Sequence, residues 1–173
     1  MERFLKSIEK SLDDSNWYSA LYMSLTLPDV CSSLETADGK TDGKKFARWF
    51  DRYMKETYSM KMHGQTTVFM AGDDCYVLRC SLLHQGLTDV GHQRAKGVLD
   101  RFYFTTMNMH RIRIGNVLHL NVKIFCEEMV ASVRLWVEDF NKNYPDKVGR
   151  LSQLIHIHST SYSIGGVNFL KGD

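Results

Sequence analysis

Between Val122 and Phe140 the apolar residues recur at helical spacing: Val122, Phe125, Cys126, Met129, Val130, Val133, Trp136, Val137 and Phe140. A period near 3.6 puts all nine on one side of a helix, and a stripe that wide must be buried against other elements. The period predicts one long helix from about Val117 to Asn141. Gly115-Asn116 supplies its start and Tyr144-Pro145-Asp146 its end. A chain built around such a helix needs several partner helices, which points to a mainly α fold with this helix at its centre.

Partner helices can be read on both sides. Phe4, Leu5, Ile8 and Leu12 mark a short amphipathic helix over residues 1–13. A second runs from about Asn16 to Leu34, with Pro28 predicting a kink or a restart at Asp29. Glu35–Gly43 reads as a polar loop. A third helix covers about Lys44 to Tyr58, with Phe46, Trp49, Phe50, Tyr53 and Met54 on one face. Lys44, Lys45, Arg48, Arg52 and Lys55 crowd the rest of its surface, as a solvated face or as a phosphate-facing patch. Residues 59–70 show no period and read as loop. After Gly86 a loop and a short helix are expected, carrying Arg94, Lys96 and Arg101. The segments 102–106 and 110–114 alternate like strands and predict a small β-hairpin around Met107-Asn108-Met109. A last helix is expected over about Lys147 to His156, and residues 158–173 read as an ordered arm across the body. The expectation is one domain over 1–173: a bundle of five or six helices with a hairpin insertion at about 102–114.

Composition narrows the class. Apolar residues are 43% and charged ones 24%, the mix of a globular domain, and the net charge of +2 leaves any nucleic-acid site to local clustering. No run approaches the roughly 18 apolar residues of a membrane span. The first twelve residues, MERFLKSIEKSL, are charged and lack a signal peptide's apolar core. The four cysteines, Cys31, Cys75, Cys80 and Cys126, are far apart in apolar surroundings and read as free thiols in a reducing cytoplasm. His156 and His158 share one side only of a strand, and with no third ligand nearby in sequence they read as no metal site. Ser163-Ile-Gly-Gly166 lacks the Lys of a phosphate loop and reads as a turn.

The chemistry concentrates in Asp73–Gly86, DDCYVLRCSLLHQG. Gly72, Asp73 and Asp74 begin a helix with acidic charge at the favourable end of its dipole, and Gly86 stops it. Cys75, Val77, Leu78, Leu82 and Leu83 make that helix apolar enough to bury. It nonetheless carries Arg79 and His84, groups that are costly to bury without partners. This Arg-x4-His helix resembles the signature helix of the HEPN superfamily, small helical proteins of toxin–antitoxin, abortive-infection and CRISPR-linked ribonuclease systems. In catalytic members the residue after the Arg is often Asn, Asp or His, where this chain has Cys80. The Tyr one position after the His in one toxin branch has no counterpart, because Gly86 stands there.

The resemblance implies a metal-independent endoribonuclease, with no cofactor, working as a homodimer that brings two Arg and two His into one groove. It also implies RNA as substrate and an antitoxin or defence-system protein as partner. His84 would then transfer protons and Arg79 would hold phosphate oxygens, with Asp73, Asp74 or Ser81 in support. An i to i+5 step turns about 140° on a helix, so only a long Arg arm lets both groups reach one cleft. Lys44, Lys45, Arg48, Arg94, Lys96, Arg111 and Arg113 are the candidate RNA and phosphate contacts. Two other readings stay open. Arg79 can pair with a carboxylate while His84 sits at a helix end, leaving both structural. The chain can also be a non-catalytic HEPN-like module that binds a nucleotide, a nucleic acid or a protein.

Overall fold

The structure is a computed structural model and describes residues 1–92 and 97–172, Met62 by its backbone alone. Five α-helices and seven short strands follow one another among the described residues, with a 3-10 helix over Pro145–Gln153. The helices are α1 (Glu2–Asp13), α2 (Trp17–Glu35), α3 (Gly43–Tyr53), α4 (Gly72–Gln85) and α5 (Val122–Asn143). The fold is therefore mainly α, as its apolar periods predict.

The helix α2 is the hub: it packs against α1, α3, α4, α5 and the 3-10 helix. Its composition explains the position, since nine of its residues are buried and its only acidic residue before Glu35 is Asp29. It runs through Pro28 without restarting at Asp29. Proline removes the one rung that would have bonded the Ser24 carbonyl, and burial on several sides holds the remaining turns. The expected stripe of α5 is buried from Val122 to Phe140, Val137 being only partly covered. It lies on α2, with α1 and α3 at its flanks. α4 packs chiefly on α3. Gly72 makes that approach possible: a Cβ there would sit 2.1 Å from the Ala47 carbonyl oxygen of α3. The Gly72 N–H donates to Asp51 Oδ1 of α3 at 2.9 Å.

The β structure departs most from expectation. Residues 59–68 form a hairpin, β1 (Ser59–Met62) and β2 (Gln65–Val68), turned at His63-Gly64 with positive φ at both. Segments β3 (Arg101–Thr105) and β4 (Ile112–Ile114) do not pair with each other. Both pair with β5 (Val117–Asn121), which lies between them, parallel to β3 and antiparallel to β4. The residues assigned to the first turn of the long helix thus form a strand, and α5 starts at Val122 with Asn121 as its N-cap. The alternation of Val117, Leu118, His119 and Leu120 suits a strand, and Phe102, Leu118 and Leu120 are fully buried beneath the helices. Described residues 87–92 and 97–100 hold no helix; the rest of the short helix expected there, with Arg94 and Lys96, lies outside the described residues.

The final helix is 3-10 and shorter than expected. Beyond it the chain forms a hairpin, β6 (Tyr162–Ile164) and β7 (Val167–Phe169), turned at Gly165-Gly166 with positive φ at both. This is the turn read from the sequence. The arm does not bury itself on the body: from Ile155 to Gly172 every residue except Tyr162 is exposed.

Candidate functional site

Helix α4 begins and ends as its sequence directs. The Asp74 carboxylate accepts the Ala71 N–H at 3.1 Å, closing the helix start. Gly86 at φ +69° closes the end, its N–H donating to Leu82. Between them, Arg79 turns toward α2. Its Nε lies 2.7 Å from Asp29 Oδ2, a charge contact in which neither atom completes an aligned hydrogen bond. The side chains are 23% and 15% exposed, so the pair is largely withdrawn from water. Burial raises the Asp29 carboxyl above its usual range despite the opposing pull of Arg79. Cys80 stands beside this pair, its Sγ 3.9 Å from an Arg79 guanidinium nitrogen.

His84 is on the outside of the same helix, exposed at its C-terminal end, with no hydrogen bond or ion pair among the described residues. Arg79 and His84 thus do not share a cleft within one chain. The supporting candidates divide as well. Asp73 is exposed. Asp74 is buried, and its Oδ1 accepts the Val98 and Leu99 N–H groups at 2.9 and 3.0 Å. Ser81 is buried and donates to the Asp89 carbonyl at 3.1 Å. Asp74 and Ser81 therefore fasten the loop after α4 onto the helix.

The basic candidates on α3 meet a different feature. A cleft of about 500 Å3 opens between the C-terminal half of α2, the helix α3 and Tyr144. Lys45, Arg48 and Arg52 line it, one turn apart, with Trp49, Tyr53 and Tyr144. Arg52 is engaged by Asp139 at 3.1 Å. Lys45 donates to the Lys40 carbonyl at 2.9 Å and lies 3.7 Å from Asp42. Arg48 donates to the Lys44 carbonyl alone and has no carboxylate partner among the described residues. The indole N–H of Trp49 is buried without an acceptor among the described residues. Lys44 is exposed on α3 outside the cleft lining. Glu35 is the one carboxylate of the wall, and it accepts the Trp136 indole N–H at 2.7 Å.

The hairpin arginines are held by backbone. Arg111 donates to the Thr57 carbonyl and lies 3.8 Å from Glu128, while Arg113 reaches the carbonyls of Gly115 and Val68. Next to Arg111, His110 accepts the Asn121 N–H at Nδ1, so its proton sits on Nε2, facing Glu128 at 3.2 Å. Tyr58 donates to the same carboxylate at 2.7 Å. His156 and His158 stand with ring centres 4.5 Å apart, and His158 stacks on Tyr162.

Two features of the site have a partial signal in the sequence. Asp29 is the lone carboxylate of an apolar stretch, the natural partner for an arginine in another apolar helix. The cleft aromatics were visible as helix residues, but only the return of Tyr144 to α3 assembles them. No family model, no curated protein and no solved structure matches this chain. Among the described residues, no helix is long and apolar enough to cross a membrane.

Proposed function

We propose that this chain is a HEPN-like helical domain that binds RNA through the α3 cleft, as a binding module in which Arg79 is a structural strut. The observation that carries this reading is the cationic wall of Lys45 and Arg48 beside the half-buried rings of Tyr53 and Tyr144. Arg48 has no ion-pair partner among the described residues, and flat rings next to cations suit unpaired bases on a phosphate backbone. Arg79, by contrast, has its charge met by Asp29. Fluorescence anisotropy with a labelled single-stranded RNA tests this. Binding at low salt should be clearly weakened in the Lys45→Ala/Arg48→Ala double variant and kept in Arg79→Lys. Equal binding by the double variant and the wild type sinks it.

A metal-independent endoribonuclease is the second reading, and the exposed His84 favours it. A two-fold that paired two α4 ends would place two such imidazoles in one groove. This is the arrangement the HEPN resemblance implies for toxin and anti-phage proteins, with an antitoxin or defence-system partner. Cleavage of mixed RNA in EDTA, with 2′,3′-cyclic phosphate or 3′-phosphate ends, is its signature. His84→Ala should lower that rate by about 10²–10⁴ while leaving binding intact. Wild-type protein that binds RNA and leaves it uncut removes this reading and keeps the first.

A further inference from the structure

The α3 cleft carries one group that phosphate binding alone does not need, the carboxylate of Glu35. It is half-buried, in a wall whose other charged groups are Lys45, Arg48 and Arg52. A carboxylate there repels the phosphates that those cations attract, so it fits a ligand that offers N–H groups as well as phosphate. The bond from Trp136 accounts for Oε1 alone. Glu35 Oε2 has no hydrogen bond or ion pair among the described residues and is not sealed from solvent.

The carboxylate is also held in place. Trp136, fully buried in α5, donates to Oε1 at 2.7 Å. Lys147 donates to the Glu35 carbonyl at 2.7 Å, and Arg150 donates to the carbonyls of Leu34 and Thr36, so the chain is tied on both sides of Glu35. An acceptor fixed beforehand loses little freedom when a ligand arrives. From the same Trp136 a ladder of stacked rings runs through Phe140 to Tyr144, with ring centres 4.8 and 5.5 Å apart. It ends in the cleft, where the Tyr144 ring is half-buried. One connected set thus supplies a flat ring and an open acceptor to a single cleft.

We propose that this cleft selects guanine, with the base on Tyr144, its Watson–Crick edge on Glu35 and its phosphate on Arg48 and Lys45. The proposal rests on the RNA-binding reading of the cleft and adds a base preference and the residue that sets it. Guanine presents two adjacent N–H donors on that edge, N1–H and N2–H. Adenine and cytosine set an acceptor nitrogen beside their amino group, and uracil flanks its N3–H with two carbonyls. An ionised carboxylate only accepts, so it takes guanine's paired donors and repels the acceptors of the other bases. The cleft volume of about 500 Å3 lies within the range of about 300–1,000 Å3 usual for small-molecule sites, a size that suits one nucleotide of a strand.

Fluorescence anisotropy on the full chain tests this, with labelled oligouridine strands that carry one central guanosine, inosine, adenosine or cytidine. The strands share the same phosphates, so the backbone contribution cancels from their affinity ratios and the ratios report base contacts. The guanosine strand should bind roughly 5- to 100-fold tighter than the adenosine and cytidine strands, the range of one bidentate base contact. Inosine, which lacks the N2 amino group, should fall between. Glu35→Gln keeps an acceptor for Trp136 but turns the other oxygen into a donor, and should bring the ratios close to one. Glu35→Asp keeps the charge and shortens its reach, and should lower the ratios as well. Guanosine 5′-monophosphate should displace the guanosine strand better than adenosine 5′-monophosphate, and less well than the unlabelled strand. A mononucleotide that outcompetes the strand overturns RNA as the source of the guanine. Wild-type protein that binds every strand equally overturns the proposal and leaves the RNA reading standing. So does a guanosine preference that both Glu35 variants retain. Wild-type protein that binds none of the strands removes both.

Discussion

Arg79 shows how a residue can fit a sequence motif and yet answer to packing. Its side chain is about three-quarters covered, and a covered cation needs a counter-charge. Asp29 supplies it from across α2. Removing one partner of such a pair strands the other, which costs toward the lower end of about 3–5 kcal/mol at this partial burial. Asp29→Ala and Arg79→Ala should therefore each lower stability in urea unfolding. The Asp29→Ala/Arg79→Ala double variant should lose clearly less than the sum, and strict additivity would show that the contact carries no coupling. The pH dependence has a definite sign. A carboxyl whose folded value is raised contributes stability fully below its unfolded value, and that contribution is lost as pH climbs through the folded value. For Asp29 the loss begins near 3.8 and proceeds upward. Asp29→Asn should remove this slope, which unfolding midpoints taken at steps from below 3.8 upward would reveal.

At the scale of elements, the five α-helices and the strand segments β3 and β4 were legible, and the pairing of the strands was not. The period of α5 and the Gly86 stop of α4 are local signals, readable from consecutive residues. Gly86 has φ +69°, where a Cβ is unfavourable, so Gly86→Ala should cost about 1–2 kcal/mol in thermal or urea unfolding. The three-stranded sheet depends on β3 pairing in parallel with β5 across sixteen positions, Arg101 to Val117, and no local pattern announces that register. The 59–68 hairpin has an exposed second strand apart from Val68, so it lacks the apolar alternation that marks a half-buried strand. Its signal was the His63-Gly64 turn alone. Asp74 was legible as an acidic residue in a first turn but not as the anchor of a loop 24 residues on. Asp74→Ala leaves the Val98 and Leu99 N–H groups without their acceptor. Each orphaned donor costs about 1–3 kcal/mol, and amide hydrogen exchange at Leu99 should accelerate by orders of magnitude. Unchanged exchange there would mean the loop is held by other contacts.

For the whole molecule the net charge is only +2, too small to gather a polyanion by its overall field. RNA binding, if it runs through α3, must draw its electrostatic part from a few local contacts, and salt reveals how many. For single strands, the slope of log affinity against log salt falls by about 0.7 for each phosphate contact removed. Lys45→Ala/Arg48→Ala deletes two cations that line one cleft and should flatten the slope by about 1.4. Arg111→Ala should change it little, because that side chain is committed to the Thr57 carbonyl and lies near Glu128. Tyr144→Ala should lower affinity with no change in slope, since a ring contributes stacking and no counterion release. Anisotropy titrations at four or five salt concentrations separate the three outcomes. If the Lys45/Arg48 slope equals that of the wild type while RNA still binds, the phosphates lie elsewhere on the surface. The exposed end of α4, with His84, is then the next face to test.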